Sequence, residues 1–443
     1  MNTTISYLVK CSIAAVVLVS CKENKEAKRT QFIETKNIDK SVNPGDDFYD
    51  YANGAWLKTA KIPDEYSSTG AGLDVYLSIQ KRLKELLENA SKNTGETGSI
   101  QQKVGDFYAS GMDSVTINKL GYEPVKPLLS KIDAANSVPA LMQIAANETK
   151  NTYNPNMYNT TPNLFGFMVY ADQKNSTMNI AWLTQGGIGL PERDYYFRTD
   201  AATVGVQNAY KNYLTTLFKL TGSDAATAAK NTATVYNIEK ELASSHKTVV
   251  QLRDMQANYH KVSMEKIEKE QPNIGWKAFF KNLGAKADSV DMEQPEYYAK
   301  LNTMLKTVPI SDWKLYLKAH ALTAYANLLS QDFQNAAFDY SKMLNGQKKQ
   351  RQRWERIAGK ADAGLGDALG QLYVEKYFPP EAKKKIDELI NNTKKMNKEY
   401  TIKIFEQKQA DTEQLFRLMQ SVPCAKPFQR NPKKKDIHLN ILL

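Results

Sequence analysis

Leu73-Asp-Val-Tyr-Leu-Ser-Ile-Gln-Lys-Arg-Leu-Lys-Glu-Leu-Leu-Glu-Asn-Ala90 decides the fold class. Tyr76, Ile79, Leu83, Leu86, Leu87 and Ala90 recur three and four residues apart, with Lys and Glu between them. That spacing predicts an α-helix with one apolar face. Ile100, Val104, Phe107 and Tyr108 repeat the pattern, with Gly111 as the expected stop. Val206, Tyr210, Tyr213, Leu214, Leu217 and Leu220 line a further helix ended by Gly222. Ser311-Asp312 offers a cap for a long helix carrying Trp313, Tyr316, Leu317, His320 and Leu328, and Glu381 to about Phe405 reads as helix again. The expected fold class is mainly α.

One region departs from this period. Leu164 to Ala171 and Thr177 to Thr184 are β-rich runs separated by Asp172-Gln-Lys-Asn-Ser176, which predicts a small hairpin with a polar loop. Apolar residues on both faces predict that it is mostly buried. Gly186-Gly187 and Gly189 then lead into Leu190-Pro-Glu-Arg-Asp-Tyr-Tyr196.

The 443 residues are 42% hydrophobic and 24% charged, with 24 Tyr, 15 Phe and 5 Trp, a composition that excludes a disordered chain. The net charge of +11 is spread among interspersed acids and bases, so no nucleic-acid partner is expected. Lys348, Lys349, Arg351, Arg353 and Arg356 around Trp354 read as a solvated helix face.

The amino terminus is more specific. Lys10 precedes a short apolar run from Cys11 to Val19, then Leu18-Val19-Ser20-Cys21. Residues 1–20 read as a lipoprotein signal peptide, with Cys21 the lipidated residue and residues 21–37 a flexible tether. The alternative is an ordinary signal peptide that contains a Cys. The expected location is the bacterial cell envelope, with the membrane reached through the lipid anchor. Only Cys424 then remains, so no internal disulfide is expected.

Candidate chemistry is sparse. His246, His260, His320 and His438 lie far apart, and none stands in an H-E-x-x-H run. No residue is assigned as catalytic or as a metal ligand. Gly364-Leu-Gly366 with Gly370 follows a charged helical stretch instead of a strand, so it reads as a helix–loop–helix junction and not a nucleotide loop. No G-x-S-x-G elbow occurs.

Six stretches, in order, resemble the N-terminal part of the neprilysin and endothelin-converting-enzyme family of zinc metallopeptidases, in the manner of a bacterial oligopeptidase-like lipoprotein. They are the Asp46-to-Trp56 block with Ile62-Pro63, Phe107-Tyr-Ala-Ser-Gly-Met-Asp113, the Leu190–Tyr196 run, Tyr316-Leu317, Arg353-Trp354, and Gly370-Gln-Leu-Tyr-Val-Glu-Lys-Tyr-Phe378. Within them Asn53-Gly54 suits a tight turn, and Pro191 sets the backbone before Arg193-Asp194.

The resemblance implies a two-lobed helical architecture, a thermolysin-like zinc lobe and small peptides as substrates. It also implies that the zinc helix, the third carboxylate ligand and the substrate-binding Asn-Ala strand lie downstream. Residues 38–397 are therefore expected to be the neprilysin-like N-terminal domain, with the zinc-binding lobe incomplete. Residues 398–443, punctuated by Pro423, Pro427 and Pro432, are expected to be a divergent tail of truncated or frame-shifted origin. Zinc belongs to the complete enzyme, and none is expected to bind this chain.

Two departures from the family stand out. Gly45 replaces the Cys of animal members, and Ser67-Ser68-Thr69 stands before Gly70 where relatives carry bulky or basic residues. The alternative function is a non-catalytic helical surface lipoprotein that binds peptides or glycans.

Overall fold

The computed structural model describes residues 34–93, 95–152 and 164–407. The described residues divide into two compact units: one comprises those up to Pro63 together with Ser68–Gly70, the other Asp64–Ser67 and those from Ala71 onward.

In the smaller unit the helix Phe48–Leu57 is capped by Asp47, whose carboxylate accepts the Asp50 N–H. Asn53-Gly54 forms no turn; both residues lie inside this helix. A Cβ on Gly54 would come within 2.7 Å of Asp39 Cβ. Glycine thus lets the Asp39 segment lie against the helix, where the Asp39 N–H reaches Tyr51 O at 2.8 Å. Lys58 Nζ and the Ser41 hydroxyl hold the Asp39 carboxyl down to about 2.

The larger unit is mostly helical and carries one small four-stranded sheet. Its helix Ala71–Lys92 buries Leu83, Leu86, Leu87 and Ala90 as the periodicity requires, whereas Ile79 is exposed. The helices Ile100–Met112 and Arg353–Tyr377 close over that face, and Leu83, Leu87, Val104, Tyr108, Ile357, Ala358, Ala361 and Leu369 form a core. Phe107 is exposed. Gly111 is not the stop; the helix runs to Met112, and Asp113 caps the next one by accepting the Thr116 N–H. A Cβ on Gly111 would stand 2.6 Å from Ile357 Cγ2, so close packing explains this glycine.

The helix Arg353–Tyr377 continues through Gly364-Leu365-Gly366, and only Leu365 leaves helical geometry (φ −131°, ψ 28°). The expected helix–loop–helix junction is a kink. The helix over Trp313 starts at Ile310 with Pro309 before it and ends at Tyr325. Ser311 and Asp312 therefore sit in its first turn and do not cap it, and Leu328 is exposed in a separate 3₁₀ turn.

The hairpin belongs to a sheet of order β1-β2-β4-β3, with β1 Phe165–Asp172, β2 Asn175–Gln185, β3 Lys261–Ser263 and β4 Ser289–Met292. β1 and β2 are antiparallel from Phe165↔Gln185 outward, β4 runs parallel to β2, and β3 is antiparallel to β4. The base of the hairpin is buried and so is Asp172 beside its turn, whereas Val169, Tyr170 and Met178 are exposed. At the base Phe165 packs among Trp276, Phe279 and Tyr298. This aromatic group joins the sheet to the large core that includes the helices Ala201–Leu220, Ala225–Ala243, Pro295–Thr307 and Ile310–Tyr325.

Candidate functional site: a loop held by buried tyrosines

β2 ends at Gln185, and the chain crosses the core as Gly186-Gly187-Ile188-Gly189-Leu190-Pro191 before Glu192 caps the turn Arg193–Tyr196. Backbone polar groups carried through a core must find partners. Here buried side chains, and the partly buried Tyr340, supply them. Tyr298 Oη donates to Thr184 O at 2.9 Å, Tyr316 Oη to Gly187 O at 2.8 Å, and Tyr340 Oη to Gly189 O at 2.9 Å. Tyr297 Oη donates to Leu164 O. His246 Nε2 lies 3.0 Å from Gly186 O. Gly189 is needed because a Cβ there would overlap Tyr210 Oη, 1.9 Å away.

Glu239 is the centre of the arrangement and is wholly buried. Tyr196 Oη accepts the N–H groups of Gly189 and Leu190, each at 3.1 Å, and donates to Glu239 Oε2 at 2.9 Å. Tyr210 Oη donates to Glu239 Oε1 at 2.7 Å, and His320 Nε2 lies 2.8 Å from the same oxygen. A carboxylate only accepts, so all three partners must donate, which places a proton on Nε2 of His320. Burial, reinforced by the Glu239 charge, pushes the hydroxyls of Tyr196 and Tyr210 well above the usual tyrosine range. Burial lowers His246 to about 4, with the Arg193 charge adding to the effect. With both Glu239 oxygens taken and the hydroxyls held as donors, this network fixes backbone and leaves no free nucleophile.

The three described histidines serve separate partners. His246 serves the Gly186 carbonyl, His320 serves Glu239, and His260 Nδ1 lies 3.0 Å from Asn258 O beside β3. Among the described residues no group of three or more His, Cys, Asp or Glu is placed to hold a metal ion. Cys21, Cys424 and His438 lie outside the described residues.

Glu239 escapes a reading for motifs. Its signal is a carboxylate on the buried face of the helix Ala225–Ala243, in helical phase with Ala228, Val235, Leu242 and Ala243.

The basic segment is committed to protein partners. Arg353 Nε and Nη2 reach Gly111 O at 2.9 and 2.6 Å, Arg356 Nη1 reaches Gln334 Oε1 at 2.6 Å, and Arg351 Nη1 reaches Tyr76 Oη at 3.1 Å.

A mostly helical chain with one small four-stranded sheet has the architecture of the neprilysin-like N-terminal region. The sequence model of Peptidase family M13 matches residues 44–400, and the chain belongs to that family. Bovine (Bos taurus) endothelin-converting enzyme 1 is 28% identical over 366 residues, 81% of this chain and 48% of that protein. Rat (Rattus norvegicus) endothelin-converting enzyme-like 1 is 26% identical over 385 residues, 84% of this chain and 49% of that protein. The chain thus spans about half the length of the curated relatives it matches.

Among solved structures, the Mycobacterium tuberculosis zinc metalloprotease ZMP1 in complex with inhibitor superposes with a TM-score of 0.75 at 27% identity, covering 82% of this chain and 54% of that one. PepO from Lactobacillus rhamnosis superposes at 0.70 and 21% identity, over 82% of this chain and 55% of that one, and shares the fold.

Proposed function

We propose that the chain is the N-terminal region of an exported neprilysin-like zinc metalloendopeptidase that cleaves small peptides. It supplies the helical frame that flanks the substrate, while the metal ligands come from polypeptide beyond the matched residues. The observation that carries this reading is the family match over residues 44–400, within which no described group of residues suits a metal. The test incubates the purified 443-residue chain with zinc and a fluorogenic pentapeptide, with and without a chelator. No chelator-sensitive cleavage is expected, and turnover abolished by chelation would overturn the assignment of the metal site.

The reading includes a lipid anchor at Cys21, supported by the Leu18-Val19-Ser20-Cys21 junction. Metabolic labelling with a fatty acid should mark the native chain and not the Cys21→Ser variant, which should leave the membrane fraction. Equal labelling of the two would exclude Cys21 as the attachment point.

A further inference from the structure

β1 is an edge strand, and the direction of its free backbone groups follows from the register. Leu183 O accepts the Glu293 N–H at 3.0 Å, so Leu183 and, by alternation, Ala181 face β4. Ile180, Trp182 and Thr184 then face β1, and their partners Tyr170, Met168 and Gly166 face back. Val169 and Ala171 therefore aim N–H and C=O out of the sheet. No hydrogen bond to these two outward pairs occurs among the described residues. Val169 is 45% exposed and Tyr170 65% exposed. From Phe165 to Ala171 the strand carries no charge and no proline, the devices that ordinarily keep an edge from pairing.

We propose that this outer edge of β1 takes up an extended, uncharged peptide as an added strand. The main-chain groups of Val169 and Ala171 supply its hydrogen bonds. Side chains on one face of the guest strand meet Tyr170, whose ring packs edge-on against Trp182 at 5.9 Å. A β-branched or aromatic residue opposite Tyr170 is therefore favoured. A second copy of this chain is the weaker occupant. Two outward-facing residues bury far less than the roughly 1,200 Å² of a stable protein interface, whereas they match a short peptide. The proposal needs neither zinc nor hydrolysis, so it stands or falls apart from the peptidase reading.

The test titrates the full chain with fluorescein-labelled Thr-Val-Tyr-Val-Thr-Gly and with two versions N-methylated at alternate amides, in opposite phases. One phase should bind like the parent and the other about tenfold more weakly, as expected for one or two lost hydrogen bonds. Amide exchange should slow at Val169 and Ala171 on binding and stay unchanged at Met168 and Tyr170. Val169→Pro, which removes an outward donor and spares the β1–β2 ladder, should weaken binding about tenfold. Tyr170→Lys, on an exposed side chain, should weaken it also and guards against a folding failure of the first variant. Equal binding of the two methylated phases, unchanged exchange at Val169 and Ala171, or protection that follows protein concentration instead of peptide would each overturn the proposal.

Discussion

Nε2 of His320 lies 2.8 Å from Oε1 of Glu239, and the same oxygen takes the Tyr210 hydroxyl at 2.7 Å. Two donors on one buried oxygen, with Tyr196 on the other, leave no room for a donor at position 239. Glu239→Gln turns an NH₂ group toward one of them. The expected loss is about 2–4 kcal/mol, the cost of buried groups left without partners. Tyr196→Phe strands the Gly189 and Leu190 N–H groups and should cost about 1–3 kcal/mol. Urea midpoints at constant slope measure both. A neutral Glu239→Gln would show that the network contributes little to stability.

His246 gives the fold a pH dependence of known sign. Its folded value of about 4 lies below the usual 6.5. The unfolded chain therefore binds more protons between pH 4 and 6.5, and stability rises with pH across that window. Above 6.5 the contribution is complete, and it amounts to about 3 kcal/mol. Asp291 and Glu293, raised by burial, work in the opposite direction as pH climbs through their folded values. The diagnostic quantity is therefore the difference from His246→Gln, in which only the imidazole titration is gone. The native chain should gain about 3 kcal/mol more than this variant between pH 4 and 6.5. Parallel curves would remove His246 as the source.

Helical faces were legible in the sequence because local spacing alone sets them: Leu83, Leu87, Val104 and Tyr108 are buried where their period requires. What escaped depends on distant partners. Gly54 and Gly111 look like turns and stops until Asp39 and Ile357 are seen against them. β3 and β4 span three and four residues, too short for an alternation signal, and they join the hairpin only through non-local pairing. The family resemblance was readable in six motifs. The Glu239 network was not, because its members come from the turn Arg193–Tyr196 and three separate helices.

The same substitution should act with opposite signs at two helical glycines. A Cβ on Gly105 would stand 2.3 Å from the backbone oxygen of Ala90, which cannot rotate aside. Gly105→Ala must push the helices Ile100–Met112 and Ala71–Lys92 apart, at about 2–4 kcal/mol. Gly205, inside the helix Ala201–Leu220, has nothing within 4 Å of such a Cβ. Gly205→Ala should stabilise by about 0.5–1 kcal/mol, because it restricts the unfolded chain and adds helix propensity. Thermal midpoints of the pair, measured side by side, decide the matter. A stable Gly105→Ala protein would mean that the two helices are not in backbone contact.

Arg353 closes the end of a helix from a distant part of the sequence. Its Nε and Nη2 reach Gly111 O at 2.9 and 2.6 Å, and that carbonyl belongs to the last turn of Ile100–Met112, where no backbone N–H is left to take it. The fork geometry matters more than the charge, since a lysine offers a single ammonium on a flexible stem. Arg353→Lys is expected to lose about 1 kcal/mol and Arg353→Met about 2 kcal/mol, the second leaving the carbonyl without a charged donor. Amide exchange should report where the loss falls. The N–H of Asp113, bonded to Ala109 O at 3.1 Å in the same turn, should exchange faster in both variants. Amides of Ala225–Ala243, in a different core, should keep their relative protection. A lysine variant indistinguishable from the native chain would show that charge alone holds this helix end.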